Sequence, residues 1–155
     1  MESYKVSTPE GTRDRFFAEC EELREIRAAI VRLFRGRGYR EVSTPSLEYY
    51  DLFMRVGSPL PQESMLKLAD HSGSILVLRP DCTTPIARVA ATRLSELPLP
   101  LRLYYDQNIY RSGAVNTGNS CEIAQCGIEL IGAEGLRADI EAVLMAVNAL
   151  QAAGA

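Results

Sequence analysis

The stretch LRLYYDQNIYRSGAVNTGNSCEIAQCGIELIG, residues 101–132, predicts two β-strands joined by a polar loop. The loop is rich in Gly, Asn, Ser and Thr, which are typical turn residues. Side chains alternate between the two faces of a strand. One face of the first strand therefore carries Leu101, Leu103, Tyr105, Gln107, Ile109 and Arg111. In the second strand one face is wholly apolar, and the other carries Ile123, Gln125, Gly127, Glu129 and Ile131.

Three of these side chains predict a binding site for a small zwitterion. Arg111 ends the first strand, and Gln125 and Glu129 share one face of the second. Arginine binds a carboxylate through two parallel hydrogen bonds, and Glu and Gln oxygens accept from an ammonium or an imidazole. Gly127 leaves room for a ligand to approach the backbone. The alternative is an exposed strand face bearing ordinary polar residues, because strands with one solvated face are common.

The composition is typical of one soluble globular domain, for which a reducing cytoplasm is the simplest location. The chain has 155 residues, of which 46% are hydrophobic and 24% charged, and its net charge is −3. We find no apolar run long enough for a membrane span, no signal peptide pattern and no global charge that would attract nucleic acid. The four cysteines form no CxxC pair and His71 is the only histidine, so no metal site is expected. We predict that Cys20 and Cys126 are core thiols and that His71 is exposed and inert.

Apolar periodicity predicts four helices. They cover residues 15–35, 46–55, about 83–94 and 136–153. Thr83 or Thr84 can cap the third helix, with Pro85 in its first turn, although Asp81 could equally be only a capping carboxylate. The fourth helix is expected to direct its apolar stripe inward, with Ile140, Val143, Leu144, Val147 and Leu150.

The remaining strands are grouped as hairpins rather than alternating with helices. Residues 39–45 predict a short strand stopped by Pro45, and residues 65–68 and 75–78 predict a hairpin with His71 at its tip. This order favours an α+β fold in which helices flank an antiparallel sheet. We find no internal repeat, no domain boundary and no phosphate-binding glycine motif.

Several segments, taken together, resemble histidyl-tRNA synthetases and their paralogues. The run PEGTRD at residues 9–14 resembles the family's opening, and GYREVSTPSLE at residues 38–48 resembles motif 1 of the class II aminoacyl-tRNA synthetase core. LRPDCT at residues 78–83 resembles the family's LRPE-x-T segment, and residues 103–132 resemble motif 2 and the strand after it. The resemblance implies the N-terminal part of a class II core, a single domain over residues 1–155, a fragment of a longer chain and a homodimer formed through the motif-1 region.

Two kinds of protein share this core, and motif 2 separates them. Histidyl-tRNA synthetases activate histidine with ATP and charge tRNA, and they have a basic motif-2 loop. Regulatory subunits of ATP phosphoribosyltransferase catalyse nothing and partner a short catalytic subunit in the first step of histidine biosynthesis. In this chain no Lys or Arg occurs between Arg111 and Gln125. Because the charge on a transferring phosphoryl group needs cations, we expect a non-catalytic regulatory subunit without a cofactor rather than a synthetase.

The resemblance also implies a surviving histidine pocket. Asp81, Thr83 and Gln125 would bind the ligand's ammonium, Arg111 its carboxylate and Glu129 its imidazole. Asp81 replaces the family's Glu and is one methylene shorter. An intact pocket beside a lost ATP loop is what a histidine sensor for feedback inhibition requires.

Overall fold

A computed structural model describes residues 6–55, 60–112 and 120–155. Its elements, in chain order, are α1 (Phe17–Gly36), β1 (Arg40–Glu41), β2 (Leu47–Tyr49), α2 (Tyr50–Arg55), a 3-10 turn (Gln62–Ser64), β3 (Lys67–Ala69), β4 (Ile75–Leu78), α3 (Thr83–Arg93), β5 (Leu101–Tyr110), β6 (Glu122–Ile131) and α4 (Leu136–Ala152). The predicted α+β class is confirmed. Helices α1, α3 and α4 lie where periodicity predicted helices, within two residues at each end.

The two long strands form the predicted antiparallel hairpin. Strands β5 and β6 have ten residues each and pair in continuous register from Leu101 opposite Ile131 to Tyr110 opposite Glu122. Residues 113–119, which make up most of the predicted loop, lie outside the described residues. The hairpin is the longest paired unit in the described fold, and the helices pack on its two faces.

Each face of the hairpin contributes to its own core cluster. On one face, Tyr104 packs with Phe34 of α1 and Met145 of α4. On the other face, Leu103 and Tyr105 pack with Ile86 of α3. The second face is the one that carries Gln125 and Glu129. It is therefore a packed face with polar residues in it, and the alternative of an exposed strand face is wrong.

One strand pair departs from the predicted antiparallel sheet. Strand β1 runs parallel to β5, with Arg40 opposite Leu103, and the Val42 amide donates to the Tyr104 carbonyl at 2.9 Å. The first sheet is thus mixed, with the order β1-β5-β6. A strand of two residues is too short for its sequence to predict its direction. The direction depends on how α1 packs against the hairpin.

The second sheet corrects one helix prediction. Residues 46–55 were predicted to be helical, but Leu47–Tyr49 form β2 and only Tyr50–Arg55 are helical. The segment is taken into the sheet because β2 pairs with β4, with Leu47 opposite Leu78. The predicted hairpin is confirmed as β3 and β4, which pair antiparallel. His71, in the turn between them, is exposed as predicted.

The predicted orientation of α4 is wrong. The helix packs on α1 and β6 through Met145 and Ala149. The apolar stripe that was expected to face inward is exposed, with 44% to 62% of each residue accessible: Ile140, Val143, Leu144, Val147 and Leu150. Periodicity identifies an apolar face but not the element that covers it, and none of the described residues covers this one.

The cysteine prediction is met in part: Cys126 packs against the core cluster that contains Tyr104, as expected, but the most buried thiols are two others. Cys20 and Cys126 are half-buried, whereas Cys82 and Cys121 are buried, and all four are free thiols. Burial raises the pKa of Cys82 to about 11 and that of Cys126 to about 12, so both stay protonated near neutral pH. Within the described ranges, no three His, Cys, Asp or Glu side chains are grouped to hold a metal, and no helix is long and apolar enough to cross a membrane.

Candidate functional site

Asp81 caps the N-terminus of α3. Its Oδ1 accepts a hydrogen bond from the Thr84 amide at 2.7 Å, and its Oδ2 accepts one from the Thr84 hydroxyl at 3.3 Å. Of the capping residues that the sequence offered, Asp81 reaches the free amide, and Thr83 and Thr84 do not provide the cap. Asp81 therefore acts as the cap of α3 in this conformation. The Thr83 hydroxyl takes no part in the cap and bonds elsewhere.

Thr83 and Glu129 contact each other directly. The Thr83 hydroxyl donates to Glu129 Oε1 at 2.7 Å, which joins α3 to β6. Burial raises the pKa of the Glu129 carboxyl; the Thr83 hydrogen bond opposes this effect and the nearby charge of Asp81 adds to it. No ion pair with Glu129 is found among the described residues. Glu129 is thus a half-buried carboxylate that a ligand bearing N–H groups would stabilise.

Arg111 reaches the same segment from the end of β5. Its Nε donates to the Pro80 carbonyl at 2.8 Å, and its backbone amide donates to the Cys121 carbonyl at 2.9 Å. Its guanidinium forms no ion pair within residues 6–55, 60–112 and 120–155. The segment Pro80–Thr83 therefore has the Arg111 cation at one end and the Glu129 carboxylate at the other.

Gln125 has a buried oxygen without a donor. Its Oε1 makes no hydrogen bond with any part of the chain that the structure describes. Gln107, directly opposite on β5, is bonded to Ser43 and Thr44 instead. An unsatisfied buried polar atom costs about 1–3 kcal/mol, and an ammonium or other N–H group of a ligand would remove that cost.

Gly127 serves a different purpose from the predicted one. A Cβ at this position would lie 2.4 Å from the Tyr105 hydroxyl oxygen and 2.6 Å from Cζ. Tyr105, directly opposite on β5, thus leans across Gly127 and fills the space that was expected to admit a ligand. The sequence signal for this is a large residue opposite a glycine, which becomes visible only when the strand register is known.

Arg79 holds the segment in place and was not predicted as part of the site. It is 4% exposed; its Nε donates to the Asn108 carbonyl at 2.7 Å and its Nη1 to the Thr44 carbonyl at 2.6 Å. Its own amide donates to Ser46 and its carbonyl accepts from Tyr110. Arg79 therefore ties the residues just before the pocket to both sheets, and no feature of its sequence neighbourhood separates it from an exposed arginine.

The fold and the site together define a class of protein. Two long paired strands, helices on both faces and a cluster of polar side chains beside the start of α3 occur in a class II aminoacyl-tRNA synthetase core. The S. aureus histidyl-tRNA synthetase, solved without ligands, matches with a TM-score of 0.78 and 26% identity, over 95% of this chain and 34% of that one.

The chain belongs to the histidyl-tRNA synthetase family, whose model matches residues 11–155. It is 40% identical over 154 residues to the ATP phosphoribosyltransferase regulatory subunit of Ruminiclostridium cellulolyticum. The match covers 99% of this chain and 37% of that protein. A solved Bacillus halodurans structure, described as an ATP phosphoribosyltransferase regulatory subunit/histidyl-tRNA synthetase, matches with a TM-score of 0.88 and 35% identity, over 99% of this chain and 40% of that one. The chain thus spans about two-fifths of these relatives.

Proposed function

We propose that the protein containing this chain is a non-catalytic regulatory subunit of ATP phosphoribosyltransferase. It activates a short catalytic subunit in the first step of histidine biosynthesis, in the cytoplasm, and transmits feedback inhibition by histidine. The observation that carries the proposal is the similarity, over almost the whole chain, to relatives that have this name. The expected partners are the catalytic subunit, L-histidine and a second copy, with no nucleic acid and no membrane.

The motif-2 region supports a non-catalytic role. Between Arg111 and Gln125 the sequence contains no Lys or Arg. Most of this loop falls in residues 113–119, outside the described residues, and its composition is that of the printed sequence. Transfer of an adenylate group needs cations where negative charge develops, and the loss of one such donor typically lowers the rate by about 100-fold or more. Asn and Ser, which occur here instead, supply neutral donors only.

The pocket geometry supports histidine as the ligand. The uncompensated Arg111 guanidinium would bind the α-carboxylate, and the orphaned Gln125 oxygen would accept from the α-ammonium. Glu129, which has no cation beside it among the described residues, would accept from the imidazole, and Thr83 would reorient toward the ammonium. Asp81 completes the set, provided that its carboxylate leaves the α3 cap when the ligand binds.

Calorimetric titration of the protein with L-histidine tests the pocket. Arg111→Ala should weaken binding by about 100-fold or more, because a charge-assisted pair of hydrogen bonds is lost. Arg93→Ala, at the other end of α3, is the matched control and should bind as the parent does. Equal affinity in the Arg111 variant and the parent would show that histidine is bound elsewhere.

The alternative function is that of a histidyl-tRNA synthetase. It stays open because the family to which the chain belongs is that of the histidyl-tRNA synthetases. The two functions differ in a partial reaction, since a synthetase forms histidyl-adenylate without any partner. Histidine-dependent exchange of pyrophosphate into ATP by the protein alone should therefore be absent. Exchange above the no-enzyme background would support the synthetase and contradict the proposed function.

We further propose that a second copy binds through the motif-1 region, residues 38–48 and the sheet beside it. Leu47 and Tyr49 of β2 and Leu68 of β3 are 45% to 61% exposed and share the outer face of the second sheet. Leu76 and Leu78 of β4 lie on the same face, by register. An apolar sheet face of this kind is typical of a contact between protein subunits.

A further inference from the structure

Tyr105 is placed at the centre of the pocket by the register of the hairpin. It lies opposite Gly127, while Gln107 lies opposite Gln125 and Leu103 lies opposite Glu129. Gly127 is two residues from Gln125 and two from Glu129, so all three point to the same face. The Tyr105 hydroxyl oxygen lies 2.4 Å from the place where a Gly127 Cβ would be, so it lies between the two polar side chains.

The Tyr105 hydroxyl has no hydrogen-bond partner among residues 6–55, 60–112 and 120–155. The residue is 5% exposed, and its oxygen, unlike that of Gln125, is not fully enclosed by protein. Buried tyrosines usually find a partner for the hydroxyl. Burial raises the pKa of Tyr105, and the neighbouring carboxylates of Glu129 and Asp81 add to this effect. The group is thus a protonated phenol, able both to donate and to accept, at the floor of a site whose Gln125 oxygen is also unsatisfied.

Tyr104, the preceding residue, is a tyrosine of the same strand whose hydroxyl does have a hydrogen-bond partner. It is 1% exposed on the opposite face, and its hydroxyl donates to Glu41 Oε2 at 2.9 Å. The two tyrosines therefore differ in one respect that matters for stability. One hydroxyl is bonded within the protein, and the other is bonded to nothing in the described chain.

We propose that Tyr105 is a specificity-determining residue of the pocket, whose hydroxyl forms a hydrogen bond with the bound amino acid between the contacts made by Gln125 and Glu129. This assignment rests on the proposed histidine pocket. It gives Gly127 its role, since any side chain there would displace the Tyr105 hydroxyl. A ligand without a polar group at this depth would leave the hydroxyl unpaired and would bind more weakly.

Tyr105→Phe and Tyr104→Phe in the full protein test the assignment as a pair. Tyr105→Phe should bind L-histidine about tenfold more weakly in calorimetry, the effect of one hydrogen bond, and should keep the parent's melting temperature. Tyr104→Phe should bind histidine as the parent does but melt at a lower temperature, because it loses the bond to Glu41. A purely structural role for Tyr105 would move stability and affinity together.

The outcomes separate this assignment from the proposed function. If the parent protein binds histidine and Tyr105→Phe binds it equally well, histidine is the ligand as proposed and the role proposed for Tyr105 is wrong. If the parent protein releases no heat with histidine, the proposed ligand is wrong and the role of Tyr105 is wrong with it. A loss of affinity in Tyr104→Phe equal to that in Tyr105→Phe would also overturn the assignment, since Tyr104 lies on the other face.

Discussion

Glu129 is a carboxylate on a packed strand face, with a hydrogen bond from Thr83 and no cation beside it in the described chain. Its folded pKa is raised, chiefly by burial, so the folded state binds more protons than the unfolded state near and above the ordinary glutamate pKa. Stability therefore falls as the pH rises from the ordinary value through the raised one. Glu129 therefore weakens the fold at neutral pH, and the proposed contact with histidine gives a reason for a carboxylate at this position.

Glu129→Gln should consequently raise the melting temperature at pH 7 by a degree or two, on the order expected for a small stability gain. The difference from the parent should shrink toward pH 4, where the parent carboxyl becomes protonated. The same variant should lose most of its affinity for histidine. A melting temperature that falls at pH 7 would contradict the account of Glu129, and Glu96→Gln, outside the pocket, serves as the control.

Strand alternation predicted the polar side chains of the proposed pocket but not the tyrosine that lies among them. Arg111, Gln125 and Glu129 were predicted from strand alternation, and the structure brings Arg111 and Glu129 to one segment through Pro80 and Thr83. Tyr105 was not predicted as part of the proposed site, because whether its hydroxyl has a partner depends on register and packing and not on residue type. The same holds for Arg79, whose partners are backbone carbonyls far away in sequence.

Among the elements, the β5–β6 hairpin depends on the pairing of a large residue with a glycine. Gly127→Ala would place a Cβ within 2.6 Å of two Tyr105 atoms, and the rigid ring cannot bend away at its far end. We expect a loss of about 1–3 kcal/mol in the free energy of unfolding, as is usual for overpacking in a core. Urea unfolding of the parent and the variant measures it.

The double variant Gly127→Ala with Tyr105→Leu identifies the cause of that loss. Leucine is too short to reach Gly127, so the alanine should cost much less in that background than in the parent. Two effects that simply add would mean that the clash with Tyr105 is not the reason for the glycine.

The type of each element was predictable where its periodic pattern was long. The elements that each one pairs or packs with were not predictable. The ten-residue strands and the helices α1, α3 and α4 follow from alternation and from apolar spacing over several turns. Residues 47–49 were misassigned because three residues fit a helix or a strand equally well, and pairing with β4 decides. The α4 stripe was misoriented for a similar reason, since apolar spacing cannot say which face meets α1.

For the whole molecule, the outer face of the second sheet predicts a dimer. Leu47→Asp would put a charge into an apolar contact, which costs several kcal/mol when the charge has no partner, and should convert dimers to monomers. Light scattering coupled to size-exclusion chromatography measures the mass. Leu144→Asp, on the exposed stripe of α4, is the matched control and should remain dimeric. If Leu144→Asp is the variant that dissociates, the contact lies on α4 and not at motif 1.

The overall class was predictable because the decisive motifs lie in order along the whole chain. Three segments carry the resemblance to the family, and each is visible in the sequence. They are a proline-bounded strand, an LRPD segment before a helix and a long hairpin. The relation between the two sheets was not predictable, because it depends on Arg79 and on the β1–β5 pairing. These contacts join residues that are about 30 to 60 positions apart.

The proposed function makes this protein a regulator of a phosphoribosyltransferase that catalyses nothing alone. The most direct test mixes the full protein with a short-form ATP phosphoribosyltransferase catalytic subunit and follows phosphoribosyl transfer to ATP, with and without histidine. We predict that each protein alone is inactive, that the mixture is active and that histidine suppresses it, less so with Arg111→Ala. A catalytic subunit whose rate is unchanged by the protein, together with histidine-dependent pyrophosphate exchange by the protein alone, would contradict the claim.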